Sequence, residues 1–142
     1  MTHKYIAPWE ETKWLVVSSF FFLVPTVYAY VHQVYSYSFL LLTTSIVSAN
    51  YWRRATYSWR RNLDLIVSKI AFIVFVSKGV LTITYFPYVI VGYSGFFIVG
   101  YLFTCSNMLY ELKDKTWVNY HFLFHVVLTC EQLIILDSII GA

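Results

Sequence analysis

Residues 117–140 read Trp-Val-Asn-Tyr-His-Phe-Leu-Phe-His-Val-Val-Leu-Thr-Cys-Glu-Gln-Leu-Ile-Ile-Leu-Asp-Ser-Ile-Ile, one apolar run broken by four titratable side chains, His121, His125, Glu131 and Asp137. A run of this length crosses a bilayer, which takes about 20 helical residues. Ionisable groups are costly in hydrocarbon, so each needs a partner or a task. His121 and His125, four residues apart, share one helix face.

Similar apolar blocks recur along the 142 residues, which are 59% hydrophobic and 12% charged. Soluble domains hold about 25% charged residues, so the composition describes a multipass membrane protein. The whole chain, 1–142, reads as a single transmembrane domain, an all-α polytopic bundle. The first apolar run is too long for the core of a signal peptide and has no small-x-small site after it, so it reads as a retained span. Cys105 and Cys130 both fall inside apolar runs, which argues against a disulfide framework. No nucleic-acid-binding motif is present.

Polar punctuation divides the chain into five spans at about 13–32, 36–52, 63–85, 88–110 and 116–138, each near the length a bilayer needs. Division of 63–111 into shorter pieces gives six or seven as the alternative. Pro25 predicts a kink in the first span, and Pro87 favours a break at Tyr85-Phe86. Asn62 is a cap for the third span, with Asp64 in its first turn, and Thr116 a cap for the fifth. Five spans put Lys4, Lys13, Arg53, Arg54, Arg60, Arg61, Lys113 and Lys115 on one side, while the turns near 33–36 and 85–88 hold no Lys or Arg. Positively charged loops stay inside, so the N-terminus is expected in the cytosol. The four arginines set this topology and suit anionic lipid headgroups.

Counting helix rise inward from the basic loops assigns depths. Ser48, Asp64, Ser106, Asn107, His121 and His125 fall in one layer just inside the basic face, with Lys69 near it. Lys78, 14 residues past Asp64, and Glu131, 15 past Thr116, both lie near mid-membrane. Opposite charges at one depth predict a buried Lys78–Glu131 ion pair. Gly92, Gly95 and Gly100 are expected at close helix contacts.

Ser48-x-x-Tyr51-Trp52, then Arg61-Asn-Leu-Asp64, then His121-x-x-x-His125 on the last span resemble the membrane hydrolase superfamily of alkaline ceramidases, adiponectin-type receptors and GPI-lipid-remodelling proteins. That superfamily carries Ser-x3-His late in the second of seven spans, an Asp in the third, and His-x3-His in the last. The resemblance implies a zinc-dependent hydrolase of lipid amides or esters, with His121, His125 and Asp64 at the metal, Asp64 also as base, and Ser48 orienting the attacking water. Trp52 stands where the family has a third zinc-binding His, and the chain has two spans fewer.

Two other readings fit the same residues. One is an ion or proton channel or transporter, expected as a homo-oligomer, with Lys69, Lys78, Glu131 and the His pair lining its route. The other is a non-catalytic membrane scaffold or lipid binder. Membrane lipids are the expected partners, and the sequence does not name the membrane.

Overall fold

A computed structural model describes residues 5–141, so Lys4 lies outside the described residues. The order is α1 (Trp9–Ser19), a 3-10 turn at Phe20–Phe22, α2 (Leu23–Val31), α3 (Tyr35–Trp52), α4 (Trp59–Thr82), α5 (Phe86–Glu111) and α6 (Trp117–Ile140). α1, the 3-10 turn and α2 run on as one rod, Trp9–Val31. The fold is therefore an all-α bundle of five rods. Four of them, Trp9–Val31, α4, α5 and α6, are long and apolar enough to cross a membrane. The protein is an integral membrane protein. α3, at 18 residues, is shorter and richer in hydroxyls than the others.

A 3-10 turn at Phe20–Phe22 interrupts the α-helical hydrogen bonding just before Pro25. Proline clashes with the carbonyl four residues back, here Phe21, and the tightened turn moves that carbonyl away. Thr26 Oγ1 donates to the Phe22 carbonyl at 2.7 Å.

α3 is held to the first rod through small polar residues. Ser38, Leu41, Ser45, Ser48 and Trp52 recur every three or four residues and are buried, so one face of α3 is a hydroxyl stripe. Ser38 Oγ donates to the Thr26 carbonyl and Ser45 Oγ to the Ser19 carbonyl, each at 2.9 Å. Each such interhelical bond is worth about 0.6 kcal/mol inside a membrane. Small side chains also let the backbones approach closely.

The start of α4 corrects the sequence expectation. Ser58 is the N-cap residue and the helix begins at Trp59, so Asn62 lies within it and Asp64 is in the second turn. Thr116 does precede α6, but its hydroxyl and amide both bond to Asp114 Oδ1, at 2.8 and 3.0 Å, and the hydroxyl does not cap the helix. Two turns use left-handed residues that are not glycine: Gln33 at φ 64° and Lys113 at φ 60°. The amides that follow them close back onto the preceding helices, Val34 to the Ala29 carbonyl at 2.8 Å and Asp114 to the Leu109 carbonyl at 2.9 Å. This is the Schellman way of ending a helix.

α6 packs on the first rod, on α4 and on α5, whereas α5 packs closely on α6 alone. Two buried clusters fill the bundle. One, at the arginine end, contains Leu15, Tyr51, Trp52, Trp117 and Val118. The other, at the opposite end, contains Ala29, Leu41, Phe75, Ile83, Ile135 and Leu136. The chain before α1 folds back over the arginine loop: the Ile6 amide donates to the Ala55 carbonyl at 2.8 Å, and Tyr110 Oη donates to the Ile6 carbonyl at 2.7 Å.

Candidate functional site: an intramembrane cavity at the arginine end

Between the rods lies a cavity of about 660 Å³, within the range of small-molecule sites. Ser48 of α3, Asp64 of α4, Ser106 of α5, and His121 and His125 of α6 all line it. Residues assigned to one depth by counting helix rise thus face one space. Asn107 and Arg61 line it too. Lys69 does not join them; it is exposed on the outer side of α4.

The two imidazoles are held alike. His125 Nδ1 lies 2.6 Å from Ser18 Oγ, and Ser18 Oγ is 3.2 Å from the Leu15 carbonyl. His121 Nδ1 lies 3.4 Å from Ser106 Oγ, and Ser106 Oγ is 3.2 Å from the Trp117 carbonyl. In each case a serine can pass its proton to a backbone carbonyl and accept Nδ1–H from the ring. With Nδ1 as the donor, each ring is neutral and presents an unprotonated Nε2 as an acceptor. The ring centroids are 4.8 Å apart. Ser18 is fully buried and does not line the cavity, so it positions His125 and is not available as a nucleophile.

Ser48 sits one hydroxyl further on. Ser19 Oγ donates to the Leu15 carbonyl at 2.6 Å, and Ser48 Oγ lies 2.8 Å from Ser19 Oγ. Ser19 has one hydroxyl proton and spends it on Leu15, so Ser48 is the donor of the pair. Toward the cavity Ser48 offers only its lone pairs. Ser18 and Ser19 escaped the sequence reading because they sit in an apolar run. Their one signal is a position on the stripe through Leu15 and Phe22.

Trp52 shapes the roof. Its indole meets His121 edge-on, with ring centroids 5.0 Å apart, and lies 5.9 Å from Trp117. Trp52 is 6% exposed, and its Nε1–H has no partner among the described residues. An indole can donate a hydrogen bond but cannot ligate a metal. Among the described residues no three His, Cys, Asp or Glu side chains lie together closely enough to hold a metal ion. A catalytic zinc takes about three protein ligands, and the donors present supply two imidazoles. Asp64 shares the cavity without completing such a set, so the residues as placed do not fit a three-ligand zinc centre.

The expected Lys78–Glu131 ion pair does not form. Among the described residues the one salt bridge is Lys13–Glu10 at 3.0 Å, on the surface. Gly79 is the α4 residue that faces Ile135 and Phe96. Lys78, about 100° round the helix, is turned off that contact, so equal depth did not mean equal direction. Glu131 points toward α5 instead, where a methyl group on Gly95 would overlap its carboxylate. Gly92 likewise faces Ile83, whereas a side chain on Gly100 would meet nothing within 4 Å. Gly100 is therefore not a close contact.

Of the four arginines, Arg61 reaches the cavity mouth, where its guanidinium stacks 5.4 Å from the Tyr57 ring. Arg60 stacks 5.7 Å from Trp59, while Arg53 and Arg54 are exposed in the loop. No family model, curated protein or solved structure matches the chain.

Proposed function

We propose that this integral membrane protein binds a membrane lipid in the cavity, with the polar head in the layer of Ser48, Asp64, His121 and His125 and the chains running deeper. One observation carries the reading: polar side chains from α3, α4, α5 and α6 line one space at the arginine end, and beyond them its walls turn to Phe72, Phe75, Phe96, Val99 and Phe103. Apart from Glu131 and Gln132, that gradient follows a lipid from head to tail. Phe72 of α4 and Phe103 of α5 line the cavity and are 49% and 42% exposed. α4 and α5 do not pack closely on each other, which suits entry from the bilayer between them. Arg61 at the mouth favours an anionic head.

The test is lipid analysis of protein purified into lipid-free detergent. The expected result is about one tightly held lipid per chain, lost when Ala71→Trp fills the wall. No retained lipid, or retention unchanged by Ala71→Trp, overturns the reading.

The second reading is metal-dependent hydrolysis of a lipid amide or ester. It is supported by the serine partners of both Nδ1 atoms, which leave both Nε2 atoms free, because metal-binding histidines are held through the other ring nitrogen in this way. Zinc analysis decides it: near-stoichiometric zinc lost in His121→Ala supports it, and zinc unaffected by that change sinks it.

A further inference from the structure

At the deep end of the cavity, two acceptor atoms have no hydrogen-bond partner among the described residues: Glu131 Oε2 and Gln132 Oε1. Both side chains are at least nine-tenths buried, at 4% and 5% exposure. A buried polar atom left unpaired costs about 1–3 kcal/mol, and a lone carboxylate in hydrocarbon costs more. The slot at Gly95 nevertheless keeps Glu131 there.

Toward the arginine end the same cavity passes His125, His121 and Asp64. Glu131 is six residues from His125, about 9 Å along the helix. Two unprotonated Nε2 atoms therefore stand between the mouth at Arg61 and a deep carboxylate. Rows of Asp, Glu and His inside a membrane mark proton routes.

The opposite end offers a matching group. Asp137 is six residues beyond Glu131, about 9 Å further along α6. It accepts from Tyr28 Oη at 2.8 Å and from Tyr88 Oη at 2.6 Å. Asp137, Tyr28, Tyr88 and His32 line an open groove bordered by the exposed Val24, Val27 and Val31 of the first rod. Between the two carboxylates lies the buried apolar layer of Ile135, Leu136, Leu41 and Phe75. A cavity and an open groove thus reach one helix from opposite ends, each with a carboxylate, and an apolar layer parts them.

We propose that the protein carries protons across the membrane, with Glu131 the terminal proton site of the inner cavity, Asp137 that of the outer groove, and the Ile135–Leu136 layer the gate. Hydronium in the inner cavity gives a proton to the Glu131 carboxylate. The resulting acid gives it, through water crossing the apolar layer, to the Asp137 carboxylate, which releases it to water at the outer groove. Glu131 ends as the anion it began as, and nothing is oxidised or reduced. The reverse direction uses the same groups. Lys69 and Lys78 take no part, and the route conducts only while no lipid fills the inner cavity.

The full chain is reconstituted in liposomes holding a pH-sensitive dye, and a potassium diffusion potential drives protons. Wild-type vesicles should acidify faster than protein-free ones. Glu131→Gln, which keeps size and removes the titratable group, should lower the rate about tenfold or more. Asp137→Asn should lower it too, while the exposed control Lys69→Met leaves it unchanged. Asp137→Asn gives up tyrosine bonds, so Glu131→Gln, checked for folding by helix content and elution volume, is the deciding variant. A wild-type rate equal to that of empty vesicles, or a Glu131→Gln rate equal to wild type, overturns the proposal.

Discussion

Trp52 lies edge-on to His121 with ring centroids 5.0 Å apart, so an indole, which cannot ligate a metal, stands directly beside the histidine pair. A replacement at this position decides what the pair can hold. Trp52→His places a third ring nitrogen next to His121 and opens space for an ion. Purified Trp52→His should carry zinc near one per chain, several-fold above wild type, and His121→Ala in that background should remove it. Zinc no higher in Trp52→His than in the wild type would count against the placement of Trp52.

Gly95 and Gly100, on the same helix, should respond in opposite ways to one methyl group. At Gly95 it overlaps the Glu131 carboxylate, and at Gly100 it meets nothing within 4 Å. Gly95→Ala should destabilise the protein by about 1–3 kcal/mol. Gly100→Ala should be neutral or stabilise by up to about 1 kcal/mol, since alanine is the better helix former. Thermal unfolding in detergent reads both, and Glu131→Ala should relieve the Gly95→Ala defect. A Gly95→Ala protein as stable as wild type would show that the Glu131 carboxylate is not held in the Gly95 slot.

Two turns pay for left-handed backbone with side chains that disfavour it. Gln33 and Lys113 end their helices at φ 64° and 60°. Glycine adopts that geometry without the steric cost of Cβ, so Gln33→Gly or Lys113→Gly should raise stability by about 1 kcal/mol. Unchanged or lowered melting temperatures in both variants would argue against left-handed turns.

The α5–α6 loop should loosen in acid. Asp114 accepts from the Thr116 amide and then from the Thr116 hydroxyl, and these bonds hold its carboxyl below the ordinary value of 3.8. A depressed folded pKa means that the stabilisation is complete above the unfolded value and is lost as pH falls through the folded one. Exchange of the Thr116 amide should therefore gain protection above about pH 4 that Asp114→Asn lacks, after correction for intrinsic rates. Equal protection in the two proteins would mean that the bonds do not form.

Much of the bundle was legible because membrane helices must be long and apolar and because cationic loops stay on one side. Depth was legible as well: Ser48, Asp64, His121 and His125 do face one cavity. Direction around the helix was not. Lys78 and Glu131 share a depth and face different ways, which no count along the axis reveals. Ser18 and Ser19 were hidden because a hydroxyl inside an apolar run bonds its own helix, as Ser19 does with Leu15, and leaves hydropathy almost unchanged. Trp52 was visible as a departure from a motif, but its contact with His121 needed the third dimension.

α5 has a single close neighbour, α6, yet it forms a whole wall of the inner cavity. Tilting it outward would break few contacts besides those with α6, while the first rod, α3 and α4 stayed packed. The chamber is therefore built like a box with one hinged panel, and any change in its capacity works against the α5–α6 seam, the most extensive helix contact in the bundle. A bulky guest or a thicker bilayer would act first on that panel.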